Sequence, residues 1–382
     1  MNSRREFAKL LLGSPLLVAG PLRQALAYPD RIHPETLKQV LNVFHLDQVA
    51  RQKLPAPVYH YIVDGAADQR TIKANRDAFE DWAIRVRRLV DVSNVDTSLK
   101  LFGDKLASPI VLAPVGAQNS YNEQAELASA RAAAPDHVFI APTLGSFSIE
   151  EIRAENPDPM WFQLYTFTDR NIMKRLIDNS IATGYQTLVV TIDGPHRGRH
   201  ESQLWFRSIG ERDPTPVRMG NFPQLKDLSK LGDPSLTWEF VDWLKQNTTQ
   251  NIVLKGIVTG EDAKLCLQYG VDGIIVSNHG GRHEDSSRAT LSSLPEVIDA
   301  VDGHMPVLID GGFRRGSDIF KALALGADAV CIGRPYIWGL GAFGEDGVRK
   351  CLQMLDAELK LEMMFAGTPA LKDIQTDFVT AA

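Results

Sequence analysis

The chain has little cysteine. Its 382 residues hold three, Cys266, Cys331 and Cys351, and these show neither paired nor metal-ligand spacing. Each stands in an apolar helical or strand-like context and reads as a packed core thiol, which argues against a disulfide framework or a zinc site. The chain has no long basic run, and its formal net charge is -6, so it does not look like a general nucleic-acid binder. No G-x-G-x-x-G turn follows the first strand-like run, where "APVGAQNS" stands instead. Beyond the N-terminus no stretch reads as a membrane span. What the chain does have is 44% hydrophobic residues, ample for a large core.

The N-terminus differs in character from the rest. "MNSRREFAKLLLGSPLLVAGPLRQALA" has a charged start, an apolar middle and an A-x-A ending at Ala25-Leu26-Ala27. Arg4-Arg5, with Phe7 and Lys9 after them, resembles the twin-arginine export pattern. Gly13, Pro15, Gly20 and Pro21 interrupt the apolar part, so it is a poor membrane span. Residues 1–27 are expected to be a cleavable signal to the bacterial periplasm, with an amphipathic first helix as the alternative. Residues 28–382 then form the functional domain.

After two short helices expected within 34–67, a rhythm begins. Apolar, β-rich runs stand at 109–115, 137–143, 160–165 and 187–193, and again at 251–258, 272–278, 305–312 and 329–335. Amphipathic stretches such as "DRNIMKRLIDNSIATG" and "SDIFKALALG" lie between them. Nearly continuous apolar strands alternating with helices predict a parallel sheet covered on its faces. Eight repeats predict an α/β fold of the (β/α)8 TIM-barrel type, spanning about 108–368, with an open doubly wound sheet as the alternative. Residues 194–235 break the rhythm after the fourth strand. They are rich in Gly, Pro, Arg and Asp, and read as a lid over the barrel mouth or else as a disordered insertion.

In such barrels chemistry sits at the C-terminal ends of the strands. Strand three ends with Gln163 and Tyr165, and strand four with Thr191 and Asp193. Strand five carries Lys255, and strand six ends at Ser277, Asn278 and His279, followed by Arg282. Strand seven ends at Asp310-Gly311-Gly312 with Arg314, and strand eight at Gly333-Arg334. Glycine lets backbone N–H groups approach an anion and arginine adds a forked donor, so the last two strand ends read as a phosphate site. The middle strands carry acid–base groups. His279 can accept a proton near neutrality, Asp193 can hold its imidazole, Arg282 and Tyr165 can grip a carboxylate, and Lys255 can stabilise negative charge.

At "SNHGGR" the pattern becomes specific. With "LPAPVYHY", "FQLY", "VTID", "LKG", "IDGGFRRGSDIFKALALGA" and "CIGRP" in order, residues from about 45 to 378 resemble the FMN-dependent α-hydroxy-acid oxidase and dehydrogenase family. That family includes glycolate oxidase, lactate oxidase and mandelate dehydrogenase. The resemblance implies FMN as cofactor and oxidation of a small L-2-hydroxy acid to the 2-oxo acid. His279 would be the base and Asp193 its partner, with Tyr61, Tyr165 and Arg282 on the substrate. Lys255, Gln163, Thr191 and Ser277 would meet the flavin ring, whose reactive edge packs on Pro114, Val115 and Gly116. Asp310, Gly311, Gly312, Arg314, Gly333 and Arg334 would complete the cofactor site, the glycines and arginines as its phosphate cradle. Electrons would pass to an external acceptor (a cytochrome or quinone) or, in an oxidase, to oxygen. A homo-tetramer is implied too. A catalytically degenerate flavin-binding barrel is the reading from another class.

Three departures from the family pattern stand out. His200 replaces an arginine in "GRHE", Pro142 replaces a flavin-facing serine, and Gly116 stands where oxidases often carry alanine. Gly116 tilts the reading toward a dehydrogenase. His283 and Glu284, in "GGRHED", are expected on the rim of the cleft.

Overall fold

The computed structural model describes residues 34–194, 196, 198–216, 218–222 and 230–382. The expected signal segment lies outside the described residues.

Eight strands close into a parallel barrel: β1 (Ile110–Leu112), β2 (Val138–Ala141), β3 (Met160–Tyr165), β4 (Thr187–Thr191), β5 (Asn251–Ile257), β6 (Gly273–Val276), β7 (Val307–Ile309) and β8 (Ala329–Ile332). Each strand pairs with the next, and β8 returns to β1 through Val330 opposite Ile110. All eight expected runs are strands. Gln163, Tyr165, Thr191 and Lys255 are still in the ladder, whereas Asp193, Ser277, His279 and Asp310 follow the last paired residues of their strands.

The period of two divides each strand between two cores. Val111, Ile140, Trp161, Val189, Val253, Ile275, Leu308 and Cys331 fill the barrel interior. Their neighbours Leu112, Phe139, Phe162, Val190, Leu254, Ile274, Ile309 and Val330 face the helices. Burial on both faces explains the absence of polar alternation in these runs. A short ribbon, Leu99–Leu101 with Asp104–Leu106, plugs the N-terminal end, where Phe102 packs edge-on to Trp161 at 5.3 Å.

The helices are α1 (Val43–Lys53), α2 (Ala56–Val63), α3 (Arg70–Asp77), α4 (Ala125–Ala133), α5 (Ile149–Ala154) and α6 (Arg170–Thr183). They continue with α7 (Glu201–Ser208), α8 (Glu239–Asn247), α9 (Gly260–Gln268), α10 (Thr290–Val301), α11 (Gly316–Ala324) and α12 (Arg334–Ala366). Their ends follow local chemistry. Asp169 caps α6 by accepting from Asn171 N, and Gly184 closes it in a left-handed conformation. Pro55 separates α1 from α2, whereas Pro57 sits in the first turn of α2, where its missing N–H costs nothing. Helix α12 is broken at Phe343–Gly344 and packs along α1. Among the described residues no helix is long and apolar enough to cross a membrane.

The long segment after β4 is folded over the barrel mouth wherever it is described. Helix α7 packs on α2, with Gln203 Nε2 donating to Pro57 O at 2.9 Å and Phe206 against His60. Further on, Asn119 Nδ2 donates to Pro216 O at 2.8 Å, and Gly220 N to Gly145 O at 3.0 Å. Asn221 Nδ2 donates to Thr143 O at 2.9 Å, and Phe222 is buried against Phe167. These anchors fit the lid reading and not a free insertion.

Candidate active site

A cavity of about 460 Å³ opens at the C-terminal end of the barrel. The loops after β1, β6, β7 and β8 form most of its wall.

The loop after β6 sets the chemistry. His279, Gly280 and Gly281 take three left-handed conformations in a row, with φ of 56°, 62° and 72°. A side chain at Gly281 would lie 2.8 Å from Ile72 N, so main chain demands glycine there, and one at Gly280 would press on Arg334 Nη1 at 2.9 Å. The turn is held by Asn278, which exchanges two side-chain amide bonds of 2.9 Å with Asn75 of α3, and by Gly281 O, which accepts from Ala66 N at 2.9 Å. These contacts hold His279 at a positive φ that a non-glycine residue adopts at a cost.

His279 Nδ1 lies 2.9 Å from Asp193 Oδ1, and Nε2 lies 3.4 Å from the Tyr165 hydroxyl. With Nδ1–H donating to the carboxylate, Nε2 presents its lone pair toward the cavity. Burial holds the imidazole down to about 3 from its ordinary 6.5, with Asp193 opposing, so the ring is a neutral proton acceptor. Burial alone would raise the Asp193 carboxyl, but Lys255 and His279 outweigh it and keep it well below the usual carboxylate range. Burial pushes the Tyr165 phenol up to about 12, so it remains a donor.

Lys255 is buried beneath them. Its Nζ donates to Ser277 Oγ at 2.8 Å, and stands 3.4 Å from Asp310 Oδ2 and 3.9 Å from Asp193 Oδ2. Desolvation works against its charge, yet Asp310 and Asp193 more than offset this and the ammonium persists. Burial raises the Asp310 carboxyl, with Lys255 opposing.

Arg282 reaches back across the mouth. Its Nη1 donates to Tyr61 O at 2.6 Å and to Asp64 O at 3.1 Å at the end of α2, and its guanidinium lies over the Tyr61 ring. The C-terminal carbonyls of a helix suit a cation. Arg334 uses the same edge and donates to Ile62 O, Gly280 O and Asp64 O. Arg314 is buried and stacks on Trp338 at 4.6 Å.

Most of the expected site residues therefore meet in one cavity. Pro114, Val115 and Gly116 line it from β1, and Tyr61, Tyr165, Lys255, His279 and Arg282 line the reacting side. Asp310, Gly311, Gly312, Arg314, Gly333 and Arg334 line the far side. Four stand behind the wall. Asp193 backs His279, Gln163 Nε2 donates to Thr191 Oγ1 at 3.0 Å, and Ser277 sits between Lys255 and Asp310. His200 does not line the cavity. Burial, then Arg282, lowers its imidazole to about 4, and it stacks on Tyr61, so a second substrate arginine is replaced here by a neutral ring. Pro142 is not a wall residue either; its carbonyl accepts from lid residue Asn221.

One rim expectation fails. His283 is not on the rim: its ring lies on His279 with centroids 3.8 Å apart, because the left-handed turn at 279–281 folds the chain back on itself. Glu284 is exposed, as expected. Tyr121, Arg218 and Met219 also line the cavity and carried no sequence signal beyond, for the last two, their place in the lid.

The far side suits a phosphate-bearing flavin. Gly311 and Gly312 hold φ of 103° and 88°, and a side chain at Gly333 would meet nothing within 4 Å, so the cradle is open there. Asp310 Oδ1 is buried without a partner among the described residues, an acceptor waiting for hydroxyl donors. Arg314, buried, and Arg334, half-buried, add two guanidinium groups suited to an anion. The profile of the FMN-dependent dehydrogenases matches residues 50–381. The chain belongs to that family. It is 40% identical over 352 residues to glycolate oxidase 3 of Arabidopsis thaliana, covering 88% of this chain and 95% of that one. It is 39% identical over 359 residues to glycolate oxidase of Spinacia oleracea, covering 90% and 96%. A soluble mutant of the membrane-associated (S)-mandelate dehydrogenase from Pseudomonas putida superposes with a TM-score of 0.85 at 34% identity, covering 90% and 100%. This family member is an FMN-dependent enzyme that oxidises 2-hydroxy acids.

Proposed function

We propose that the substrate is a small L-2-hydroxy acid of lactate-like size, held by its carboxylate on Arg282 and Tyr61, and that His279 is the base. The observation that carries this reading is the neutral His279 Nε2, 3.4 Å from the Tyr165 hydroxyl in the same wall as Arg282, with Nδ1 on Asp193. Bound FMN supplies the two-electron acceptor. Arg282 and Tyr61 orient the acid, Tyr165 donates to its hydroxyl oxygen, and His279 Nε2 takes the proton. Asp193 then stabilises the imidazolium, and Lys255 offsets negative charge at the ring edge. Removing one such preorganised group costs about 3 kcal/mol of barrier.

The proposed electron acceptor is an external carrier, a cytochrome or quinone. Gly116 supports this reading. It stands where oxidases of the family often carry alanine, and a side chain there would lie 2.7 Å from Leu144 O. Oxygen is the second reading, favoured by the likeness to glycolate oxidases. Turnover under air decides between them. Dye reduction with little hydrogen peroxide fits a carrier, and stoichiometric peroxide fits an oxidase. Arg4-Arg5 and the Ala25-Leu26-Ala27 site support export to the periplasm by the twin-arginine route.

A further inference from the structure

The expected chemistry leaves His283, packed on the base, without a task. Its ring and that of His279 are nearly parallel, 22° apart, with centroids at 3.8 Å. Its Nδ1–H donates to the main-chain carbonyl of Asp193 at 2.7 Å. Space for it exists because residue 194 is glycine: a Cβ there would stand 2.7 Å from His283 Cε1. The base is thus held on three sides, by Asp193 at Nδ1, by Tyr165 near Nε2, and by His283 across one ring face.

A ring that gains a proton inside a buried site needs its new charge compensated without water. Asp193 does this in the plane of the imidazole. Across its face, the π surface of a neutral aromatic ring attracts the cation and excludes solvent. We propose that His283 is a positioning residue for the base, capping one face of His279 and stabilising the positive charge that develops there as the substrate's proton arrives at Nε2. No atom passes to His283. The inference rests on the reading of His279 as the base.

His283 must be neutral for this task. The ionisable groups facing it are Asp193 after β4, Lys255 on β5, and His279 and Arg282 on its own loop, with His200 ahead of α7. Burial lowers its affinity for a proton. Asp193 opposes this, while Lys255 and Arg282 add to it. Once His279 carries the substrate's proton, a second proton on His283 would meet the first at stacking distance.

The test uses FMN-loaded enzyme and anaerobic single-turnover reduction of the flavin by glycolate, (S)-lactate and (S)-mandelate. His283→Phe keeps a ring but no donor; His283→Gln keeps a donor to Asp193 O but no ring; His283→Ala keeps neither. With the best acid of the three, Gln and Ala are expected to slow the limiting reduction rate by about tenfold at unchanged half-saturating acid, with Phe within about threefold of wild type. The Ala variant also admits water beside His279, so its acid limb moves up toward the ordinary histidine value. Flavin absorbance and the melting midpoint report on folding; if Ala does not fold, Gln against Phe decides. Wild-type rates and pH limb in the Gln and Ala variants, or a Phe variant as slow as Gln, overturn the proposal. His279→Ala run alongside separates the two readings. Its failure to reduce keeps the base assignment whatever the His283 variants do. Its normal reduction removes the base and this inference together.

Discussion

A histidine that must take a proton from its substrate is of no use if solvent has already supplied one. In this site burial settles that question in favour of the free base, and Asp193 limits the effect without reversing it. The sign has a direct consequence. A lowered pKa keeps His279 neutral well below 6.5, so flavin reduction is expected to stay flat from neutral pH into mild acid, with its acid limb well below 6.5. Single-turnover rates across pH check this, and an acid limb near 6.5 would contradict it. Stability follows the same linkage. Above 6.5 the histidines are neutral folded and unfolded alike, and His200, His279 and His283 add no penalty. Below it the unfolded chain takes up protons that these buried rings resist, so their contribution turns against the fold as pH drops. At this scale Asp193, Lys255, His279 and Arg282 were legible because a barrel strand delivers its last residues to the mouth. His283 was not, because its place depends on the sign of φ at three preceding residues, which spacing alone does not carry.

At the scale of elements, the strands were legible because both of their faces are buried and the apolar runs stop where the rim begins. The caps were legible too, as at Asp169 and Gly184. Tertiary closure was harder to read. The mutual amide pair of Asn75 and Asn278 joins residues 203 positions apart, and no local pattern announces it. The lid is a similar case, since its composition marked a connection without saying which side chain turns inward. Arg218 and Met219 do. The β1 loop offers a test of how tightly such elements are fitted. With Leu144 O at 2.7 Å from an added Cβ, Gly116→Ala forces main chain to move, and is expected to lower stability by about 1–3 kcal/mol. Denaturant unfolding of the FMN-loaded protein measures it; an unchanged midpoint would show that the loop yields freely.

For the whole molecule, the barrel separates its tasks by position around one rim. Late strands bring glycines and two arginines to the cavity, and middle strands bring His279, its carboxylate partner Asp193 and the buried Lys255 ammonium. On the proposed reading, that division would let a phosphate-bearing cofactor and a 2-hydroxy acid share the cavity without competition for the same groups. The proposed export signal belongs to this scale as well, because the twin-arginine route carries folded proteins and would suit one that takes up FMN before crossing. Replacing Arg4 and Arg5 by Lys is expected to leave active, FMN-loaded protein in the cytoplasm. Fractionation measures this, and continued export would remove the reading. The central claim is that His279 accepts the proton when a 2-hydroxy acid is oxidised in this cavity. Its most direct measurement is anaerobic bleaching of bound FMN by glycolate, (S)-lactate or (S)-mandelate in wild type and His279→Ala. Rapid bleaching in the first with none in the second, both still yellow at the start, is the result expected. Bleaching at equal rates in both would contradict the account.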